Sequence, residues 1–281
     1  MFLFIVLYYK KSNFTCPKDI VSMNIAIIQQ DLFYNNAEYN IRKADEAIGK
    51  GGRDLYVLPE MFATGFVTDD TVDVQSGRKA VQWMTQKAAS IHAAIAGSLA
   101  WEENGKRFNR FFFIKPDGGQ VSYDKHHLFA YGGESLYYTA GEQRVIAVYK
   151  GMRFLLQICY DLRFPVFSRN RNDYDAILYV ANWPASRSEV WKTLLKARAM
   201  ENQSYVVGVN RTGSDSNCAY SGCSTVIDPY GNTLVQCPPD EEGIASADIT
   251  PECLEHFRNK FRAWADADQF ELKTKQHKTV L

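Results

Sequence analysis

The sequence has no surplus charge of either sign. Its 32 lysines and arginines are matched by 32 aspartates and glutamates. No strong field therefore draws the chain to nucleic acid or to an anionic membrane, and a small molecule is the expected partner. Long apolar runs are missing as well. The opening MFLFIVLYYKK falls far short of the ~20 residues that a bilayer span requires. Its lysines follow the apolar run and no small-residue cleavage site comes after it, which is the wrong order for a signal peptide. Residues 1–22 are expected to be an appendage outside the fold, and residues 23–281 a single domain opening at Met23. Cysteine is sparse and unpatterned, at Cys16, Cys159, Cys218, Cys223, Cys237 and Cys253. That excludes a disulfide framework in a chain of this size and favours a reducing, cytoplasmic setting. Cys218 and Cys223 are the only close pair. No second pair or neighbouring histidine completes a zinc site, so both are read as structural and no metal is expected. There is also no repeat, low-complexity tract or Pro/Gly/Ser linker to divide the chain.

What is present is a series of short apolar runs rich in β-branched and aromatic residues. They include NIAIIQ, DLYVLP, AAIAGSLAW, RFFFIKP, FLLQICY, AILYVANWP, SYVVGVN, CSTVIDP and IASADI. Several are apolar on successive positions, as strands buried on both faces should be. Amphipathic stretches alternate with them: AEYNIRKADEAIGKG, GRKAVQWMTQKAASIH and SEVWKTLLKARAMENQ. KPDGGQ and DPYGNT have the chemistry of tight turns, so some neighbouring strands must be antiparallel. The pattern predicts a mixed α/β architecture in which helices cover sheet faces.

Three polar residues fall where strands end. Glu60 follows the run DLYVLP, Lys125 follows the strand returning from KPDGGQ, and Cys159 ends the run FLLQIC. In open α/β sheets ligands bind outside strand ends, where a carboxylate, an ammonium and a thiol could converge. An ordinary thiol ionises near pH 8.5 and needs an adjacent base or positive charge to attack as thiolate. Glu60 can take that proton and later hand it to a leaving amine. Lys125 offers fixed positive charge to a tetrahedral oxyanion, with the backbone N–H of Tyr160 as second donor. No cofactor is needed. Each residue also has an ordinary reading, as a solvated loop glutamate, a surface lysine and a core cysteine. The case rests on their combination.

LPEMFATGF, YDKHHLF and ICYDLRFP, in that order, resemble the three signature segments of the nitrilase superfamily of carbon–nitrogen hydrolases. Three separate motifs over nearly the whole domain make the resemblance specific. It implies a Glu60–Lys125–Cys159 triad, with Glu134 in AYGGESLYYTAGE matching a second glutamate that orients it. It also implies a four-layer α-β-β-α sandwich with mixed sheets, assembled into homodimers or larger homo-oligomers.

The superfamily spans many amide and nitrile chemistries, so the fold does not choose the substrate. ANWPASR and the short segment YDKHHLFAYGGESLYYTAGE resemble the omega-amidase branch, which releases ammonia from 2-oxo-dicarboxylic monoamides such as 2-oxoglutaramate. A small anionic substrate calls for a cationic fork, and Arg187 and Arg163 are the candidates near the triad. For Arg163 an ion pair with Asp161 or another local acid is at least an equal alternative. Phe66, Tyr131 and Trp183 are candidate pocket walls. His126 and His127 are expected to be structural, since Glu60 already serves as base. Another amidase or a carbamoylase of the superfamily is the alternative enzyme, and a silent oligomeric interaction protein on the same fold is the non-enzyme alternative.

Overall fold

The computed structural model describes residues 22–272. The expectation of an N-terminal appendage concerns a stretch that, up to residue 21, lies outside them. The first of two six-stranded sheets contains β1 (Met23–Gln29), β2 (Leu55–Val57), β3 (Ala94–Glu103), β4 (Lys106–Ile114), β5 (Gln120–Asp124) and β14 (Gly243–Ile249). The second contains β6 (Ile146–Tyr149), β7 (Met152–Ile158), β8 (Ala176–Ala181), β9 (Tyr205–Asn210), β12 (Thr225–Ile227) and β13 (Thr233–Gln236). Their orders are β14-β1-β2-β3-β4-β5 and β13-β12-β9-β8-β7-β6. In both sheets the central strands, β1-β2-β3 and β7-β8-β9, run parallel and the flanking pairs are antiparallel. A separate hairpin joins β10 (Thr212–Ser214) to β11 (Ala219–Ser221).

Side-chain alternation explains why the apolar runs are continuous rather than periodic. Along β1, Ile25 and Ile27 face the second sheet, where they meet residues such as Leu156, Val180 and Val207. Ala26 and Ile28 point the other way, into a second apolar layer beneath α1 (Ala37–Ile48) and α2 (Val74–Ile91), which contribute Ala44, Ile48, Ala80 and Met84. On the far side, α3 (Ser188–Glu201) lays Trp191, Leu195 and Ala199 over Leu155, Ile177 and Val206 of the second sheet. Each central strand is thus buried on both faces, and the order of layers is helix, sheet, sheet, helix. The expected four-layer sandwich is what the chain forms.

Helix-to-sheet contact is tight at Gly77 of α2. A Cβ there would stand 2.4 Å from the carbonyl oxygen of Ala100, a backbone atom that cannot swing away. Alanine in a helix ordinarily gains about 1 kcal/mol over glycine, while overpacking costs about 1–3 kcal/mol. Gly77→Ala should therefore be net destabilising, lowering the urea midpoint without changing the slope of the transition.

Among the described cysteines, Cys159, Cys218, Cys223 and Cys237 are free thiols. Cys253 is disulfide-bonded, an isolated bond and not the framework of regularly spaced bridges that the sequence argues against.

Candidate active site

The strands that carry the three signature segments deliver them to one end of the sandwich. Glu60 follows β2, Lys125 follows β5 and Cys159 follows β7, with Asn182 following β8. β2, β7 and β8 are central parallel strands, so their carboxyl ends meet where the two sheets face each other. Cys159 has φ of +45°, a left-handed conformation that costs a residue with a side chain on the order of 1–3 kcal/mol. The chain turns at once into a single 3-10 turn, Cys159–Arg163. That elbow ends the buried strand abruptly and holds the thiol at the sheet's edge.

Three charged groups behind the thiol are withdrawn from water completely. Glu60, Lys125 and Glu134 are all 0% exposed. The Lys125 Nζ donates to Glu60 Oε1 at 2.9 Å and to both oxygens of Glu134 at 3.0 and 2.9 Å. Asn109, from the middle of β4, donates to the same two carboxylates at 2.7 and 3.0 Å. Its own oxygen accepts from the Ser98 hydroxyl at 2.9 Å, which fixes the orientation of the amide. The other Glu60 oxygen, Oε2, accepts from the backbone N–H of Asn182 at 2.7 Å. Phe129 N–H reaches Glu134 Oε2 at 2.6 Å. Every carboxylate oxygen is thereby held before any substrate arrives, which is the preorganisation a reaction centre needs.

Two carboxylates share one ammonium, leaving the cluster with an excess negative charge. Burial opposes the charge on Lys125, but Glu134 and Glu60 outweigh it and raise its pKa, so it stays protonated. Burial raises the Glu134 pKa despite Lys125, and Glu60 adds to the rise. The Cys159 thiol is pushed well above its ordinary value by burial and then by Glu60, with Lys125 pulling the other way. At rest this cysteine therefore keeps its proton, in a cavity that it shares with the Glu60 carboxylate.

In front of the thiol lies a cavity of about 370 Å³ lined by Glu60, Lys125, Cys159 and Tyr160, and also by Phe66, Tyr131, Trp183, Arg163 and Arg187. All five residues expected from the sequence as walls or anion contacts border it. The Arg163 guanidinium lies 5.0 Å from the Trp183 ring and that of Arg187 5.6 Å from the Phe129 ring. Neither forms an ion pair with a carboxylate among the described residues. The alternative pairing of Arg163 with Asp161 is not formed, because Asp161 is taken up by Tyr123, His127 and the Ile158 N–H. Tyr131 is 90% exposed at the mouth of the cavity. His126 bonds through Nδ1 to the Gly141 carbonyl oxygen and His127 through Nδ1 to Asp161, the structural use expected of them.

Several residues of the site were not apparent from the sequence. Asn109, Asn182 and Asp161 are buried polar residues inside or beside apolar runs, and that isolation was the available signal. Asp215, Asn217, Cys218 and Tyr220 close one side of the cavity from the β10–β11 hairpin. Cys218 is therefore a wall of the site, whereas Cys223 packs beneath α3. No group of three or more His, Cys, Asp or Glu that could hold a metal occurs among the described residues. No helix among them is long and apolar enough to cross a membrane.

Comparison with known proteins places this arrangement. The carbon–nitrogen hydrolase family model matches residues 24–259. The omega-amidase YafV of Escherichia coli strain K12 is 46% identical over 252 residues, covering 89% of this chain and 98% of that protein. A 2-oxoglutaramate amidase of Bacillus subtilis strain 168 is 36% identical over 234 residues, covering 80% and 90%. The crystal structure of XC1258 from Xanthomonas campestris, a CN-hydrolase superfamily protein with an arsenic adduct in its active site, superposes with a TM-score of 0.86 at 38% identity. That superposition covers 90% of this chain and 100% of XC1258. A match across nearly the whole described chain, on the fold built above, means that the protein belongs to the carbon–nitrogen hydrolase family.

Proposed function

We propose that this enzyme is an omega-amidase, hydrolysing the terminal carboxamide of a small 2-oxo-dicarboxylic monoamide such as 2-oxoglutaramate to the 2-oxo acid and ammonia. The observation that carries the reading is the pair of guanidinium groups, Arg163 and Arg187, bordering the Cys159 cavity without a carboxylate partner among the described residues. A cavity with that lining favours an anionic substrate, and names such as 2-oxoglutaramate amidase among the relatives point to the same class.

The reaction follows from the geometry. As the Cys159 sulfur attacks the amide carbon, the thiol proton passes to Glu60. Glu60 Oε1 already accepts from Lys125 and Asn109, while Oε2 accepts one close donor and the Asn182 Nδ2 at a longer 3.3 Å. The proton is carried on Oε2, where the weaker bond yields. Negative charge moves to the substrate oxygen and is met by the Lys125 ammonium and the Tyr160 N–H. Collapse of the tetrahedral adduct breaks the C–N bond, and the proton on Glu60 goes to the departing nitrogen, releasing ammonia. The thioester on Cys159 is then attacked by water, which gives its proton to Glu60. Breakdown of the second adduct frees the acid and returns the proton to sulfur. Glu134 and Asn109 hold Lys125 and Glu60 in register throughout. Phe66, Trp183 and Tyr131 wall off the organic portion of the substrate. The enzyme is read as a cytoplasmic homo-oligomer, in line with the resemblance of its sequence to that branch.

The test is ammonia release from 2-oxoglutaramate beside simple aliphatic amides, a carbamoyl amine and a nitrile. A strong preference for the 2-oxo amide is expected, and activity confined to another member of the panel would reassign the pocket. Within that panel, Arg187→Met should raise KM for 2-oxoglutaramate by about 10- to 100-fold, since a hydrogen bond to a charged group contributes about 1.5–3 kcal/mol. It should leave kcat and the uncharged amides nearly unaltered.

A further inference from the structure

The mechanism above gives no part to Asp161, yet this carboxylate is wholly buried and ties together the two segments that must keep their spacing. On one side it reaches the strand that carries the nucleophile: Oδ2 accepts the Ile158 N–H at 2.9 Å, from the residue immediately before Cys159. On the other it grips the lysine segment at both flanks. The Tyr123 hydroxyl donates to Oδ2 at 2.8 Å, from two positions before Lys125. The His127 backbone N–H reaches Oδ1 at 3.0 Å and its Nδ1 lies 2.8 Å away, two positions after Lys125. A carboxylate only accepts, so that ring nitrogen bears the hydrogen. The Tyr123 hydroxyl in turn accepts the His126 N–H at 3.0 Å, so all three residues around the lysine backbone are tied to one side chain. His127 is further pinned by stacking on Phe164, with ring centroids 3.8 Å apart.

We infer that Asp161 is a positioning residue that sets the separation of Lys125 from Cys159 and so governs the chemical step. The strained elbow at Cys159 has φ of +45°, and such a conformation persists only when its surroundings over-determine it. Asp161 supplies that restraint from within the same turn, and it uses the lysine segment as its anchor. Loss of one acceptor would let the elbow relax and let the ammonium drift from the place where the oxyanion forms. Misplacement of about 1 Å is enough to cost on the order of 100-fold in rate. The walls contributed by Phe66, Trp183 and Arg187 stand on other segments, and only Arg163 shares the turn of Asp161, so substrate capture suffers less than the chemical step. The inference rests on the thioester reading of Cys159 but on no choice of substrate.

Two variants and two readouts test it. Asp161→Asn keeps the shape and replaces one acceptor by a donor that faces the Ile158 or His127 N–H. Tyr123→Phe removes a single bond and leaves the ring in the core, so it remains informative where Asp161→Asn fails to fold. Steady-state kinetics on the preferred amide should show kcat reduced at least ten-fold for Asp161→Asn and several-fold for Tyr123→Phe, with a smaller change in KM than in kcat. Alkylation of Cys159 by iodoacetamide, followed against pH by mass spectrometry, should move to higher pH in both, because Lys125 then lends the thiolate less help. This second readout needs no substrate, so it separates failure of the positioning role from failure of the omega-amide assignment. Parental kcat and an unmoved alkylation profile in the folded variants would overturn the inference, as would a loss of kcat that merely matches a loss of folded protein.

Discussion

Cys159→Ala is expected to abolish ammonia release while leaving the fold in place. Removing a nucleophile from a unit whose members act together costs on the order of 10⁶ in turnover, so activity should fall to the detection limit of a coupled ammonia assay. The backbone strain at the elbow is unaffected, because alanine keeps the Cβ that makes φ of +45° costly. What is lost is a single sulfur atom lining a cavity, a change of about 1 kcal/mol. Thermal unfolding should accordingly shift by only a few degrees in either direction. A variant that turns over near the parental rate would take Cys159 out of the mechanism, and one that unfolds would make the thiol a structural element first.

How much of this could be read from the chain depends on what each feature needs. Glu60, Lys125 and Cys159 each fall at a strand end, where such sheets bind ligands, but the trio was singled out by the resemblance of LPEMFATGF, YDKHHLF and ICYDLRFP to the nitrilase signature segments. The four-layer sandwich was implied by the family resemblance alone, whereas the mixed α/β class was legible in outline, since runs such as FLLQI are apolar on successive residues when both faces are covered. The pairing of β1 with β14, which joins Met23 to Ile249, was not, because antiparallel register between segments over 200 residues apart leaves no local trace. Asn109 was hidden for a related reason. In RFNRFFF it reads as a polar break in a strand, and only the fold shows that its amide bridges Glu60 and Glu134 across 49 and 25 residues of chain. The segment RTGSDSNCAYSG reads as a loop of turn-forming residues. Its role as a cavity wall depends on the buried Arg211, which bonds to Asp31 and to the Leu32 carbonyl oxygen and ties the hairpin to the end of β1.

Glu60→Gln should separate turnover from thiol reactivity in opposite directions, which is the most discriminating test of the proposed chemistry. Turnover loses its only proton carrier, a change on the order of 10²–10⁴ for general acid–base catalysis. The amide also brings a donor into a place where Lys125, Asn109 and the Asn182 N–H all donate already, so the loss should lie at the upper end. The thiol responds differently. Burial and then the Glu60 charge hold the Cys159 pKa high, against the pull of Lys125. Removing Glu60's charge takes away one upward influence and leaves Lys125 in place, so the pKa must fall and the thiolate must form at lower pH. Alkylation by iodoacetamide should therefore be faster at neutral pH in Glu60→Gln than in the parent, and it should level off at a lower pH. Mass spectrometry of the variant with its amide substrate should show no accumulated thioester, since nothing remains to protonate the leaving nitrogen or to activate water, while iodoacetamide still modifies Cys159. Turnover and alkylation falling together would show instead that Glu60 already draws the proton from Cys159 in the resting enzyme. In that case the attacking thiolate would exist before the amide arrives, and the oxyanion contacts of Lys125 and Tyr160 would be left as the main source of rate acceleration.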